Sequence, residues 1–170
     1  MNLILYYSRK GENYVNGRIE NLAKGNTEIC AEYLQQIVGG DLFEIETIKP
    51  YSTAYAACTK QAQDEIRFQA RPALKHMLHD ISKYDNIFIC GPCWWGTYPM
   101  PMFTQLDALD FTGKNIYPLM THEGSGLGHC QKDLKTACPG AILKAGLAIH
   151  GADAAKSKLA IEHWVQKNMD

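Results

Sequence analysis

Residues 84–102 read Tyr-Asp-Asn-Ile-Phe-Ile-Cys-Gly-Pro-Cys-Trp-Trp-Gly-Thr-Tyr-Pro-Met-Pro-Met, and the character of the chain changes at Gly91. Asn86 to Cys90 is almost wholly apolar, as a strand covered on both faces should be. The following residues hold two adjacent tryptophans, Gly96 and three prolines. They make a stiff loop whose aromatic wall and free backbone groups suit a flat aromatic cofactor. The same stretch spells a dithiol, Cys90-Gly91-Pro92-Cys93. A reactive dithiol of that kind needs a helix that continues past the second cysteine and stabilises the first thiolate. Gly96, Pro99 and Pro101 oppose a helix there, and Cys90 reads as a buried core residue. The strand-and-loop reading is favoured; a dithiol oxidoreductase stands as the alternative, as does a role for Cys93 in tuning chemistry beside a bound ring.

Outward from this segment, short apolar runs alternate with amphipathic ones, the pattern of βαβ units around a parallel sheet. Strands are expected at Leu3–Tyr7, Leu42–Ile48, Asn86–Cys90, Asn115–Met120 and Gly146–His150. Helices are expected over Thr27–Val38 (ended by Gly39-Gly40), Lys60–Gln69, Leu74–Ile81, Leu127–Thr136 and Lys156–Lys167. The fold class is therefore α/β, a three-layer sandwich with a five-stranded parallel sheet, in one domain spanning residues 1–170. Ligands of such sheets bind outside the carboxyl ends of the strands.

Net charge is −1, which gives no bulk electrostatic case for nucleic acid or an anionic membrane. No apolar run reaches the ~18 residues of a membrane span. Arg9 and Lys10 follow the first apolar residues too soon for a secretory signal, and six irregularly spaced cysteines do not form a disulfide framework. The cytoplasm is the expected compartment. His76 and His79, three apart, read as a solvated or satisfied pair, so no metal site is expected, and no residue stands out as catalytic.

Three loops would share the carboxyl edge. The first runs from Ser8-Arg9-Lys10 through Asn13-Tyr14 and Asn16-Gly17 to Gly25-Asn26-Thr27-Glu28, where a helix opens. Hydroxyls, amides and glycines before a helix N-terminus suit a phosphate, to which Lys10 could add charge. The plainer use is Asn26 or Thr27 as a helix cap. The second loop is Gly91 to Met102. The third, Thr121-His-Glu-Gly-Ser-Gly-Leu-Gly128, matches a dinucleotide fingerprint poorly and reads better as a second clamp on a cofactor.

Leu-Ile-Leu-Tyr-Tyr-Ser at 3–8, Gly-Asn-Thr-Glu at 25–28, Tyr-Asp-Asn-Ile-Phe-Ile at 84–89, Pro92 with Trp94-Trp95-Gly96-Thr97, and Thr121 to Gly126 occur in this order. As a set they resemble the flavodoxin-like family, in the branch with an extended first loop. The resemblance implies strand order 2-1-3-4-5 and an FMN cofactor. Ser8, Gly25, Asn26 and Thr27 would hold its phosphate. Lys10, Asn13 and Tyr14 are softer candidates, because residues Glu12 to Lys24 interrupt the usual short loop. Pro92, Cys93, Trp94, Trp95, Gly96 and Thr97, with Thr121, His122, Glu123, Gly124, Ser125 and Gly126, would contact the ring. Family carriers tend to be strongly acidic, and this chain is nearly neutral. That favours an FMN-dependent oxidoreductase taking hydride from NAD(P)H and reducing a small acceptor such as a quinone. The alternatives are a one-electron carrier flavodoxin serving a redox protein partner and a cofactor-free binding domain. The loop tryptophans also admit a homodimer face over the flavin.

Overall fold

Parallel strands form the centre of the molecule. In this computed structural model, which describes residues 1–169, β1 (Asn2–Tyr6) lies between β4 (Asp41–Glu44) and β5 (Asn86–Pro92). β6 (Asn115–His122) pairs with β5, and β7 (Ile142–Leu143) and β8 (Leu147–His150) share the position beyond it, every pairing being parallel. With β7 and β8 taken as one interrupted strand, the order is the expected 2-1-3-4-5. The interruption has a cause. β7 pairs with Asn115 and Ile116, β8 resumes at Leu119, and Pro118 falls in the gap. Proline has no N–H for a neighbouring strand, so pairing lapses there.

Side chains of the central strands alternate between two cores. Leu3, Leu5, Ile87 and Ile89 pack with α3 (Met100–Leu106) and α4 (Cys130–Ala137) on one face. Ile4, Tyr6, Phe88 and Cys90 pack with α1 (Asn26–Val38) and α5 (Lys158–Asn168) on the other. α2 (Tyr55–Arg67) lies against α3 and a hairpin described below. Cys90 is fully buried, and burial pushes its thiol well up. Strand β5 runs on to Pro92 and the next helix starts only at Met100, so no helix caps a dithiol here.

Several boundaries differ from the sequence expectation. The expected helix over Leu74–Ile81 is absent, although Leu74, Met77, Leu78 and Ile81 have helical spacing. Its backbone finds partners outside itself. Ile48 N–H donates to Ala73 O and Lys75 N–H to Glu46 O, both at 2.9 Å. The buried Gln105 amide of α3 satisfies both the N–H and the carbonyl of Leu78, each at 2.9 Å. α2 begins before the expected Lys60. α3 begins at Met100, inside the stretch Gly91–Met102 expected as loop, because Pro101 falls in its first turn, where a missing N–H breaks no helix bond. α4 starts at Cys130 rather than Leu127 because Gly126 and Gly128 take positive φ. A short 3₁₀ turn, Gly151–Lys156, precedes α5.

Candidate functional site

The loops after β1, β5 and β6 emerge side by side. At the first, Gly25 is buried so closely that a Cβ there would collide with Ser8 Oγ and the Arg9 carbonyl. Ser8 therefore reaches α1, where its hydroxyl accepts the Glu28 N–H at 3.0 Å. This is the cap that Asn26 or Thr27 was expected to provide; neither makes a capping bond. The N–H groups of Asn26 and Thr27 open the helix and have no intrahelical acceptor. The Thr27 and Thr121 hydroxyls bond at 2.8 Å and tie the first loop to the third.

The insertion at Glu12–Lys24 forms a hairpin: β2 (Gly11–Val15) and β3 (Arg18–Leu22) pair antiparallel. Asn16 and Gly17 both have positive φ, at 51° and 85°. That is the tight two-residue turn that Asn-Gly prefers. An isolated two-stranded hairpin is marginal in water, so docking must hold it. Asn16 N–H donates to Glu123 Oε2 at 3.1 Å, and Tyr55 N–H donates to Glu12 Oε2 at 2.7 Å. Tyr14 stacks on Tyr55 with centroids 6.2 Å apart. Arg9 Nε donates to Glu12 O, and its Nη2 donates to Ser52 O and Thr53 O at 3.0 and 3.1 Å.

The second loop turns at Trp95 and Gly96, with φ of 54° and 88°. Trp94 and Thr97 exchange backbone hydrogen bonds across the turn. A bulky residue in the left-handed region stores strain and persists only when its surroundings hold it. Here α4 supplies the hold. Thr97 Oγ1 donates to Asp133 Oδ2 at 2.5 Å, His129 Nδ1 lies 2.6 Å from the same oxygen, and His129 N–H donates to Gly96 O at 2.7 Å. Trp94 packs edge-on against Tyr7 and Tyr51, whereas Trp95 is 52% exposed and donates its indole N–H to Thr59 O. The half-buried Cys93 thiol is pushed up by burial, partly offset by hydrogen bonds from Gly96 and Ser125.

Between these loops lie two adjoining cavities of about 110 and 380 Å³. Asn13, Tyr14, Asn26, Thr27, Pro92, Cys93, Trp94, Thr121, His122 and Glu123 line the smaller. Cys93, Trp94, Trp95, Gly96 and Ser125 line the larger, with Asn13. Most of the expected residues are thus gathered, with exceptions. Ser8 and Gly25 stand behind the cavity and shape the start of α1. Thr97 is buried and braces the turn. Gly124 and Gly126 line neither cavity. Lys10 leaves the group: it lines a separate groove with Glu28, Glu44 and Glu46. Glu123 lies 3.4 Å from His150 Nε2 and holds the hairpin tip. The His122 ring accepts the Gly124 N–H at 2.9 Å; burial and His150 lower its pKa.

Sequence reasoning missed Arg9, Tyr55 and Gly151, all of which line the smaller cavity. Arg9 stood between two singled-out residues, so its position was a signal; Tyr55, in a long connection, offered none. No cluster of three or more His, Cys, Asp or Glu is placed to hold a metal among the described residues. No described helix is long and apolar enough to cross a membrane.

A family model described as flavodoxin matches residues 20–168, from within β3 to the end of α5. The chain is 28% identical to a candidate flavoprotein from Bacteroides eggerthii, with a TM-score of 0.78 and 99% of this chain and 98% of that one covered. A candidate flavoprotein from Bacteroides uniformis is 26% identical, with a TM-score of 0.75 and 97% of each chain covered. A flavoprotein from Lactobacillus acidophilus, solved in complex with FMN, is 22% identical with a TM-score of 0.64, covering 91% of this chain and 96% of that one; it shares the fold. No curated protein matches in sequence.

Proposed function

The chain belongs to the flavodoxin family, and from that membership we propose that it binds FMN in the paired cavities and reduces a small acceptor such as a quinone at the expense of NAD(P)H. The observation that carries the reading is the convergence of the first and third loops at the start of α1, beside an aromatic wall. The free N–H groups of Asn26 and Thr27, at the positive end of a helix of 13 residues, suit a phosphate. Gly25 admits the close approach of loop and helix that forms this cradle. Cys93 to Gly96 offer backbone groups and an indole face to a ring, and Asn13 and Tyr14 of the hairpin cover it. The same fold holds FMN in the Lactobacillus acidophilus protein.

When bound, FMN supplies the hydride and electron chemistry; the protein supplies orientation, exclusion of water and electrostatics. Asp133, His129 and Thr97 fix the Trp95-Gly96 turn, so the polar groups it presents are held before any ligand arrives. The near-neutral charge supports a small-molecule acceptor over a docking protein. The test is spectroscopic and then kinetic. Purified protein should be yellow, absorbing near ~450 nm as bound flavin does, and should oxidise NAD(P)H rapidly with a quinone present. Reduction only through a partner reductase would replace the enzyme reading with a carrier. A colourless protein that cannot be loaded with FMN would falsify the whole of it.

A further inference from the structure

The larger cavity has a wall that the flavin reading leaves unassigned. Besides Cys93, Trp94, Gly96 and Ser125 it is lined by Tyr55, Cys58 and Ala62 of α2, and by the exposed Trp95 ring, whose indole bonds to Thr59 of the same helix. Its volume, about 380 Å³, falls within the range of small-molecule pockets, and its lining is aromatic and apolar with a few polar groups, as such pockets usually are. None of the lining residues is acidic, and Arg9 is the one charged group among them. Arg9 enters no ion pair among the described residues. Its Nε and Nη2 are committed to the carbonyls of Glu12, Ser52 and Thr53, which fix the guanidinium in place, and Nη1 makes no hydrogen bond among the described residues. The carbonyls that hold this half-buried guanidinium are neutral and supply no counter-ion. Its field is felt at both Tyr55 and Cys58 across the wall.

We propose that this cavity takes a planar aromatic carboxylate as second substrate, stacked beside Trp95, and that Arg9 selects the negative charge. Arg–carboxylate hydrogen bonds are charge-assisted and stronger than neutral ones, and aromatic rings favour offset or edge contacts with an indole. The inference rests on the reading that the ring of FMN lies along Cys93, Trp94 and Gly96, which leaves the side of α2 and the Trp95 indole bonded to it to a second molecule.

The FMN-loaded protein is titrated calorimetrically with 2-naphthoate and with uncharged 2-naphthamide, of the same ring and nearly the same shape. Naphthoate should bind about tenfold tighter, the factor a single modest charge contact gives. Added salt should weaken naphthoate and leave naphthamide unchanged. Arg9→Gln should abolish the difference and Arg9→Lys should keep part of it. If Arg9→Gln fails to fold for want of its carbonyl bonds, the salt series on the unaltered protein decides. Equal affinities, no binding of either compound, or release of FMN by naphthoate would each overturn the proposal, the last by placing the cavity under the cofactor. Failure to take up FMN would refute the flavin reading instead, and the same titration on the flavin-free protein would still test Arg9.

Discussion

Gly25→Ala is the sharpest test of how the cradle is built. The backbone of Gly25 is ordinary, with φ −67° and ψ 150°, so alanine meets no torsional penalty. The obstacle is space, because the new methyl would collide with Ser8 Oγ and with the Arg9 carbonyl. A side chain can rotate away, but the carbonyl belongs to the chain leaving β1 and cannot. Forcing a methyl into such a site costs about 1–3 kcal/mol. Displacing Ser8 from Glu28 N–H loses a cap worth about 1 kcal/mol, and the stiffer unfolded chain returns about 0.5 kcal/mol. The net loss is about 1.5–3.5 kcal/mol, or roughly 5–10 °C in melting temperature for a chain of this size. Thermal unfolding by circular dichroism would measure it, and FMN uptake should fall with it. Ser8→Ala alone should cost only the cap, about 1 kcal/mol. The double variant should then be scarcely worse than Gly25→Ala, because the cap is already gone in the single variant. Full additivity of the two, or an unshifted melting temperature for Gly25→Ala, would refute this account of the close approach.

Thr97→Val keeps shape but removes the hydroxyl that donates to Asp133. It should cost about 1.5–3 kcal/mol, as hydrogen bonds to charged groups do, and loosen the Trp95-Gly96 turn, read as faster amide exchange at residues 94–97; unchanged exchange would show that the turn holds itself. Cys90→Ala should destabilise by about 1 kcal/mol through lost core packing while leaving flavin content and NAD(P)H oxidation intact. Loss of turnover with flavin retained would revive the dithiol. Burial pushes Cys30 up to about 11, and Cys130 and Cys138 up to about 12, from an ordinary 9.0. The unfolded chain therefore loses these protons first. The stability they contribute is complete below pH 9 and is lost as pH rises through 11 to 12. Urea unfolding in reducing buffer should show that decline, and a flat profile above pH 9 would contradict it.

The parallel sheet was legible because its central strands are short apolar runs buried on both faces, a pattern that local composition alone produces. The ligand edge followed from it, since the sheet's direction places the Ser8, Gly91 and Thr121 loops together. What escaped notice depended on distant partners. Leu74–Ile81 has helical spacing, yet Gln105 and the chain after β4 satisfy its backbone in an extended form. The gap at Pro118 was written in the sequence, but it becomes a broken strand only once β7 and β8 pair beside β6. Lys10 and Arg9 are adjacent and both basic, and only the hairpin's return decides which one faces the cavities. The hairpin had a signal in Asn16-Gly17. Its flanks, Glu-Asn-Tyr-Val and Arg-Ile-Glu-Asn-Leu, are too polar to announce strands by hydrophobic alternation.

That ribbon also leaves and rejoins the main path at nearly one point: Gly11 pairs with Leu22, and Gly25 abuts Ser8 and Arg9. It adds a roof without displacing β1 or α1, and its own ladder closes most of the loop whose closure would otherwise cost entropy. Grip and roof are thus separate modules. Changes to the tip from Tyr14 to Gly17 would alter what can enter the cavities while the cradle at Gly25 stays as it is. In this architecture substrate range can drift by editing a surface ribbon, and the phosphate cradle at the start of α1 need not change with it.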